Sequence, residues 1–205
     1  TEVWRHTHAT RPKSARNRSQ ALLFARDFTM SNTPDGMTPA LAPSRMDRLL
    51  VELLRTRRTL ALGTIDEAGG PAVSMAPWAL DPAGPDLIIL ISALAAHTRQ
   101  LMLHPHASIL ICAGEEAADS VHALPRATLQ VEALHPKSGS DDARAALAIH
   151  IARHPAGEML ASLPDFSVVR LRVQAARQIA GFGAARDVSA ARLRELLRES
   201  DNSTI

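Results

Sequence analysis

The chain has 205 residues, 46% of them hydrophobic and 21% charged, which is typical of one folded domain with or without a tail. It contains no tyrosine and only four phenylalanines and two tryptophans, which excludes phenol chemistry and argues against an aromatic base-stacking surface for nucleic acid. The net charge of +2 is uneven: residues 1–29 carry +4 and the remainder carries −2, so bulk charge does not favour a polyanionic partner for the folded part.

Cysteine content and hydropathy indicate the cellular compartment. Cys112 is the only cysteine, so a disulfide framework within one chain is excluded and a reducing compartment is favoured. The longest apolar run, residues 87–96, interrupted only by Ser92, is too short to cross about 30 Å of hydrocarbon as a helix. The arginine-rich N-terminus lacks the apolar core of a signal peptide. We therefore expect a cytoplasmic protein that does not associate with membranes.

The first 43 residues have no sustained hydrophobic period and are predicted to be a disordered extension. Met30 is a plausible first residue of the native protein, so residues 1–29 are interpreted as upstream sequence that does not belong to it. The alternative is an Arg/Ser-rich targeting peptide. Residues 44–200 are expected to form the folded domain.

From residue 44 onward the pattern predicts short strands with a few helices between or beside them. Ser44 is expected to cap a helix that runs to about Thr56, and Ser189 is expected to cap the last one, over 190–198. The other predicted helices cover 95–103, 139–153 and a short stretch to about 163. The predicted strands are 59–65, 71–80, 87–92, 107–113, 126–134, 166–173 and 177–182. Because most strand connections are short turns, we predict an α+β fold: an antiparallel barrel with peripheral helices.

Most chemical motifs give weak signals. His150 and His154 are four residues apart on a predicted helix without a further metal-binding pattern, so they are interpreted as a surface pair. Cys112 lies in an apolar strand and is interpreted as a small buried side chain rather than a nucleophile. No metal site and no catalytic residue is predicted.

A stronger signal is the stretch that opens the second helix. His97, Thr98 and Arg99 there would supply hydrogen-bond donors and positive charge, which is how a helix N-terminus holds a phosphate. The alternative is structural, with Thr98 as a cap and Arg99 as a solvated surface charge. The residues alone leave both open.

Several segments together resemble a known family. The run 57–78 resembles the opening hairpin of the FMN-binding split barrels related to pyridoxamine 5′-phosphate oxidase. Six further pieces, in the expected order, are similar to the heme-utilisation (HugZ-like) branch of that family: 91–99, 105–108, 125–129, 154–155, 164–166 and 181–184.

The resemblance implies a split β-barrel that forms a homodimer with FMN between the subunits. Carried over by position, the strand 72–77 would line the flavin ring, and Ser92 and Ala93 would lie by the ribityl chain. His97, Thr98 and Arg99 would bind the phosphate, and Arg126 would lie near the second subunit's contact with the flavin. The expected cofactor-binding residues are Ser74, Met75, Ala76, Pro77, Ser92, Ala93, His97, Thr98, Arg99 and Arg126.

Two differences from the pyridoxamine phosphate oxidases narrow the expected function. Pyridoxamine phosphate oxidases carry tyrosine in their substrate segments and a C-terminal Arg-x-His element, whereas this chain has no tyrosine and no histidine after residue 154. We therefore expect a flavin-dependent oxidoreductase of unknown small-molecule substrate, not a true pyridoxamine phosphate oxidase. One alternative is a heme-binding or heme-degrading protein with His122 or His135 as axial ligand. The other is a non-catalytic dimeric barrel.

Overall fold

The computed structural model describes residues 43–202. The predicted disorder of residues 1–43, and both interpretations of 1–29, therefore fall outside the described residues except at Pro43. The helices are α1 (Arg45–Thr56), α2 (Ala96–Leu103), α3 (Asp141–Arg153), α4 (Gly157–Ala161) and α5 (Ala190–Asn202). The strands are β1 (Thr59–Ile65), β2 (Pro71–Leu80), β3 (Leu87–Ser92), β4 (His106–Cys112), β5 (Arg126–Leu134), β6 (Phe166–Ile179) and β7 (Ala185–Ser189).

The strands form one antiparallel sheet that closes on itself. Their order is β3-β2-β1-β4-β5-β6-β7, and a further pairing of β3 with β6 closes six of them into a barrel, leaving β7 as an additional strand. Alternate residues of each strand point inward, so the barrel interior is filled by side chains such as Leu62, Ile109 and Leu129. The predicted α+β split barrel with peripheral helices is confirmed.

Strand β3 is buried on both faces. Ile89 and Ile91 point into the barrel, whereas Ile88 and Leu90 point outward and pack with Ala146 of α3. A continuous apolar run is the pattern expected of such a strand, because neither face meets water. This packing holds α3 against the outside of the barrel.

The end of the sheet differs from its prediction. Strand β6 is continuous over 14 residues where two strands were predicted, because an irregularity in its pairing with β5 near Gln130 lets the chain pass Gln174 without a turn. Strand β7 was not predicted, since Val188 is its only buried residue. Gly181 and Gly183 have positive φ angles, which makes the turn between the two strands.

Asp47 ties the first helix to this last hairpin. Its carboxylate accepts hydrogen bonds from the backbone N–H and hydroxyl of Ser44, and the Ser44 hydroxyl accepts from the Asp47 N–H. The other carboxylate oxygen is 2.7 Å from the guanidinium of Arg186. Burial raises the pKa of Asp47, but the hydrogen bonds from Arg186 and Ser44 outweigh that effect, so the pKa lies below its ordinary value.

We predict that Asp47→Ala lowers the free energy of unfolding by about 2 to 3 kcal/mol at pH 7, because it removes the carboxylate half of the capping box and leaves Arg186 without its carboxylate. Urea denaturation measures the effect. The matched control is Asp187→Ala, which breaks an exposed pair with Arg177 and should change stability by less than about 0.5 kcal/mol. Equal effects of the two substitutions would contradict the assigned role of Asp47.

Candidate functional site

A cavity of about 390 Å³ lies outside the barrel, between the outer face of β2 and β3 and the helices α2, α3 and α4. We call it the histidine cavity. Its volume is in the range of small-molecule sites. It is lined by Met75, Ala76, Pro77, Leu90, Ile91, Ser92, Ala95, His97, His150, His154, Ala156, Gly157, Leu160 and Phe166.

The wall of the histidine cavity is apolar apart from one serine and three histidines. The serine is already engaged, because the Ser92 hydroxyl donates a hydrogen bond to Asp165 at 2.5 Å. The imidazoles are therefore the polar groups that define the chemistry of the cavity.

His150 is the most unusual of the three. It is 3% exposed, and neither ring nitrogen has a hydrogen-bond partner within the described structure. Burial and the neighbouring His154 lower its pKa to about 4, and the nearby carbonyl of Pro77 opposes this shift without making a hydrogen bond of good geometry. At pH 7 the ring is a neutral imidazole, and buried polar groups without a hydrogen-bond partner are uncommon in folded proteins.

The last turn of α3 is fixed to β2. His154 donates a hydrogen bond from Nε2 to the carbonyl of Trp78 at 2.8 Å, and its ring centroid is 5.0 Å from that of His150. The guanidinium carbon of Arg153 lies 4.9 Å from the centroid of the Trp78 ring, within the range of a cation–π contact. These contacts hold His150, in the last turn of α3, and His154, which follows the helix, at the cavity wall.

His97 enters the cavity from the first turn of α2. It is half-buried, and burial lowers its pKa. No hydrogen bond to His97 is formed within residues 43–202. His97 is therefore a second neutral imidazole whose ring nitrogens are unpaired.

The other two residues of the predicted phosphate site do not line the histidine cavity. Thr98 is buried and donates its hydroxyl to the carbonyl of Ser92 at 2.6 Å. Arg99 has a side chain that is 58% exposed and faces Glu67 across 3.3 Å. Arg99 is thus placed as the structural alternative expected, whereas Thr98 does not cap α2, whose N-cap is Ala95 without a side-chain hydrogen bond.

Half of the ten predicted cofactor residues come together at the cavity: Met75, Ala76, Pro77, Ser92 and His97. Among the rest, Ser74 lies on the inward face of β2, and its buried hydroxyl has no partner in the described structure. Ala93 is exposed, and its N–H donates to the carbonyl of Asp165. Arg126 lies on β5 and donates to the carbonyl of Leu124.

Neither histidine suggested for axial ligation, His122 or His135, belongs to the cavity wall, and both are exposed. Sequence reasoning instead missed His150, although the spacing of four residues to His154 was visible. The interpretation of His150 as a surface residue is wrong, because α3 packs against β3 and α4 on the side that carries it. Within the described residues, no group of three or more His, Cys, Asp or Glu is placed to hold a metal ion.

Comparison with known proteins identifies the family. A family model described as pyridoxamine 5′-phosphate oxidase matches residues 46–180. The heme oxygenase HutZ of Vibrio cholerae is 32% identical over 148 residues, which are 71% of this chain and 82% of that protein.

Solved structures agree with this match. A crystal structure of HutZ from Vibrio cholerae, described there as a heme storage protein, shares 30% identity at a TM-score of 0.58 and covers 63% of this chain and 91% of that one. A heme-binding protein from Mycobacterium smegmatis shares 28% identity at a TM-score of 0.68 and covers 76% of this chain. This chain spans only 62% of the mycobacterial protein.

Among the residues described, none of the helices is long and apolar enough to cross a bilayer.

These matches correct the expected function. The prediction of a flavin-dependent oxidoreductase is wrong, because the relatives are named for heme binding, heme storage or heme oxygenation. FMN is suggested only by the family's name. The heme alternative is the better supported one. By sequence match and by fold, this chain belongs to the pyridoxamine 5′-phosphate oxidase-related split-barrel family, in its heme-utilisation branch with HutZ.

Proposed function

We propose that this protein binds heme in the histidine cavity. The observation that carries the proposal is a neutral, unpaired imidazole, His97, on the wall of an otherwise apolar cavity. Heme iron takes a neutral imidazole nitrogen as axial ligand, and the porphyrin ring favours apolar surroundings. The names of the relatives point to the same ligand.

The surface beside the cavity suits a flat apolar ligand. Met75 is 63% exposed and lines the histidine cavity. Its side chain extends the apolar wall outward from the cavity. A porphyrin packed against it would cover apolar surface that is exposed in the single chain.

Among the three histidines, His97 is the best candidate for the iron ligand. The ring nitrogens of His150 are shielded from solvent, and His154 uses Nε2 to bind the carbonyl of Trp78. His97 is half-buried and has no such engagement within the described residues. His150 would remain a neutral group behind the cavity surface.

We also propose that the chain forms a homodimer through the outer face of β1, β2 and β4. This face is made of small and apolar side chains: Ala61 pairs with Met75 on one side and with Leu110 on the other, and Gly63 pairs with Val73. Exposed apolar faces of this kind usually mark an interaction surface. A second copy in a two-fold arrangement would cover the face with itself.

We predict that His97→Ala weakens hemin binding at least about tenfold, equivalent to about 1.4 kcal/mol, because the iron loses its imidazole ligand. Titration of the Soret absorbance measures the affinity. The matched control is His104→Ala, an exposed histidine at the end of the same helix that does not line the cavity. If the two variants bind hemin equally well, His97 is not the ligand.

We predict that His150→Leu does not destabilise the heme-free protein at pH 7, because it replaces an unpaired buried ring with an apolar group of similar size. The free energy of unfolding of the wild-type protein should fall by up to about 3 kcal/mol between pH 6.5 and pH 4. Over this range His150 is protonated in the unfolded chain but stays neutral in the folded protein. The variant should lack this part of the loss, as measured by urea denaturation across that range.

His104→Leu serves as the control for this pH dependence, because His104 is exposed. It should keep the wild-type loss of stability on acidification. Identical pH profiles for wild-type and His150→Leu proteins would show that His150 is not held neutral by the fold.

We predict that Val73→Asp converts the dimer to a monomer, because it places a charge at the proposed interface. Sedimentation equilibrium at micromolar concentration gives the mass. Val121→Asp, at an exposed valine in the segment between β4 and β5, should leave the dimer intact. A wild-type protein that sediments as a monomer would refute the proposed homodimer.

A further inference from the structure

A second concavity, of about 270 Å³, lies where the last turns of α1 and α3 meet α5 and the turn between β2 and β3. We call it the arginine pocket. It is lined by Arg55, Leu80, Asp81, Pro82, Gly84, Arg153, Arg194, Leu197, Arg198 and Asp201. Four guanidinium groups thus share one small pocket with two carboxylates.

The two carboxylates are already neutralised by ion pairs. Asp81 pairs with Arg170, which lies outside the pocket, and Asp201 pairs with Arg55. The remaining guanidinium groups, those of Arg153, Arg194 and Arg198, have no carboxylate partner within residues 43–202. The pocket therefore holds three positive charges without counterions from the described chain.

Arg153 is held in place by backbone groups. One of its terminal nitrogens donates to the carbonyls of Arg55 and Arg57, at 2.9 and 2.6 Å. Its Nε is buried without a hydrogen-bond partner. Burial and repulsion from Arg58 lower the pKa of Arg153, so its charge is stabilised less than that of an arginine in water. An anion in the pocket would offset this cost.

The other two arginines come from one face of α5. Arg194 and Arg198 are four residues apart, which places their side chains next to each other on the helix. A Cβ built at Gly84 would lie 3.6 Å from Nε of Arg194, so the Arg194 side chain extends over the β2–β3 turn. The three arginines without a carboxylate partner therefore come from two different helices, α3 and α5.

We propose that the arginine pocket binds the phosphate or diphosphate group of a small molecule. Guanidinium groups form paired, charge-assisted hydrogen bonds with phosphate oxygens, and several such groups around one concavity favour a multiply charged anion. The pocket is small, and Leu80 and Leu197 give it an apolar part where a non-phosphate portion of the ligand would pack. The site is separate from the proposed heme cavity and does not depend on it.

The test is calorimetric titration of the full chain with sodium pyrophosphate. We expect one site per chain with a Kd below about 1 mM, and at least about tenfold weaker binding by Arg194→Ala/Arg198→Ala. The matched control is Arg172→Ala/Arg177→Ala, which removes the same charge from exposed positions on β6. No binding by the wild-type chain, or an equal loss in the control, would overturn the proposal.

A second variant is expected to bind pyrophosphate more tightly, and a gain of affinity cannot result from loss of folding. Asp201→Asn removes a negative charge from the pocket and releases Arg55, so it should bind pyrophosphate several-fold more tightly than wild type. An unchanged or lower affinity would contradict the proposal. Tighter binding of RNA than of pyrophosphate, lost in the same double variant, would overturn the small-molecule assignment. All these variants should keep the wild-type hemin affinity.

Discussion

The burial of β3 on both faces is the constraint on which the rest of the structure depends. Its inward side chains help to fill the barrel, and its pairing with both β2 and β6 closes the sheet. Its outward side chains, including Leu90, need a second apolar layer, and α3 supplies it. The position of His150 and His154 follows from this requirement, since a helix that covers β3 must also run alongside β2. The histidine cavity is the space that the two layers leave between them.

Trp78 links the two concavities of the protein. Its ring is buried in the barrel core, its carbonyl accepts the hydrogen bond from His154, and its ring face meets the guanidinium of Arg153. Two consecutive residues at the end of α3 thus contact one tryptophan and line different cavities. The end of α3 therefore positions part of the wall of each cavity through its contacts with the same tryptophan.

The barrel was predictable from the sequence because its strands show clear alternation or continuous apolarity and short turns. The long β6 was not, since Gln174 and Ala175 interrupt the apolar pattern where the pairing is irregular. In the site, His97 was found through its place at the start of α2. His150 was not, because α3 is so rich in alanine that its sequence does not show which face is buried. The ligand class was predicted wrongly because split barrels carry different cofactors on similar strands, so the fold alone does not identify the ligand.

The glycine at the start of α4 has a consequence for proton uptake. Gly157 lies so close to His150 that a methyl group in its place would stand 3.3 Å from Nδ1 and 3.6 Å from the side chain of Leu90. A Cβ contact of that length is tighter than most in proteins, so a side chain at position 157 would require the imidazole or α4 to shift by a few tenths of an ångström. Such a shift would loosen the packing that buries the ring, and less burial brings the pKa of His150 back toward its ordinary value. A glycine seven residues later in the chain thus contributes to the burial that keeps this histidine neutral.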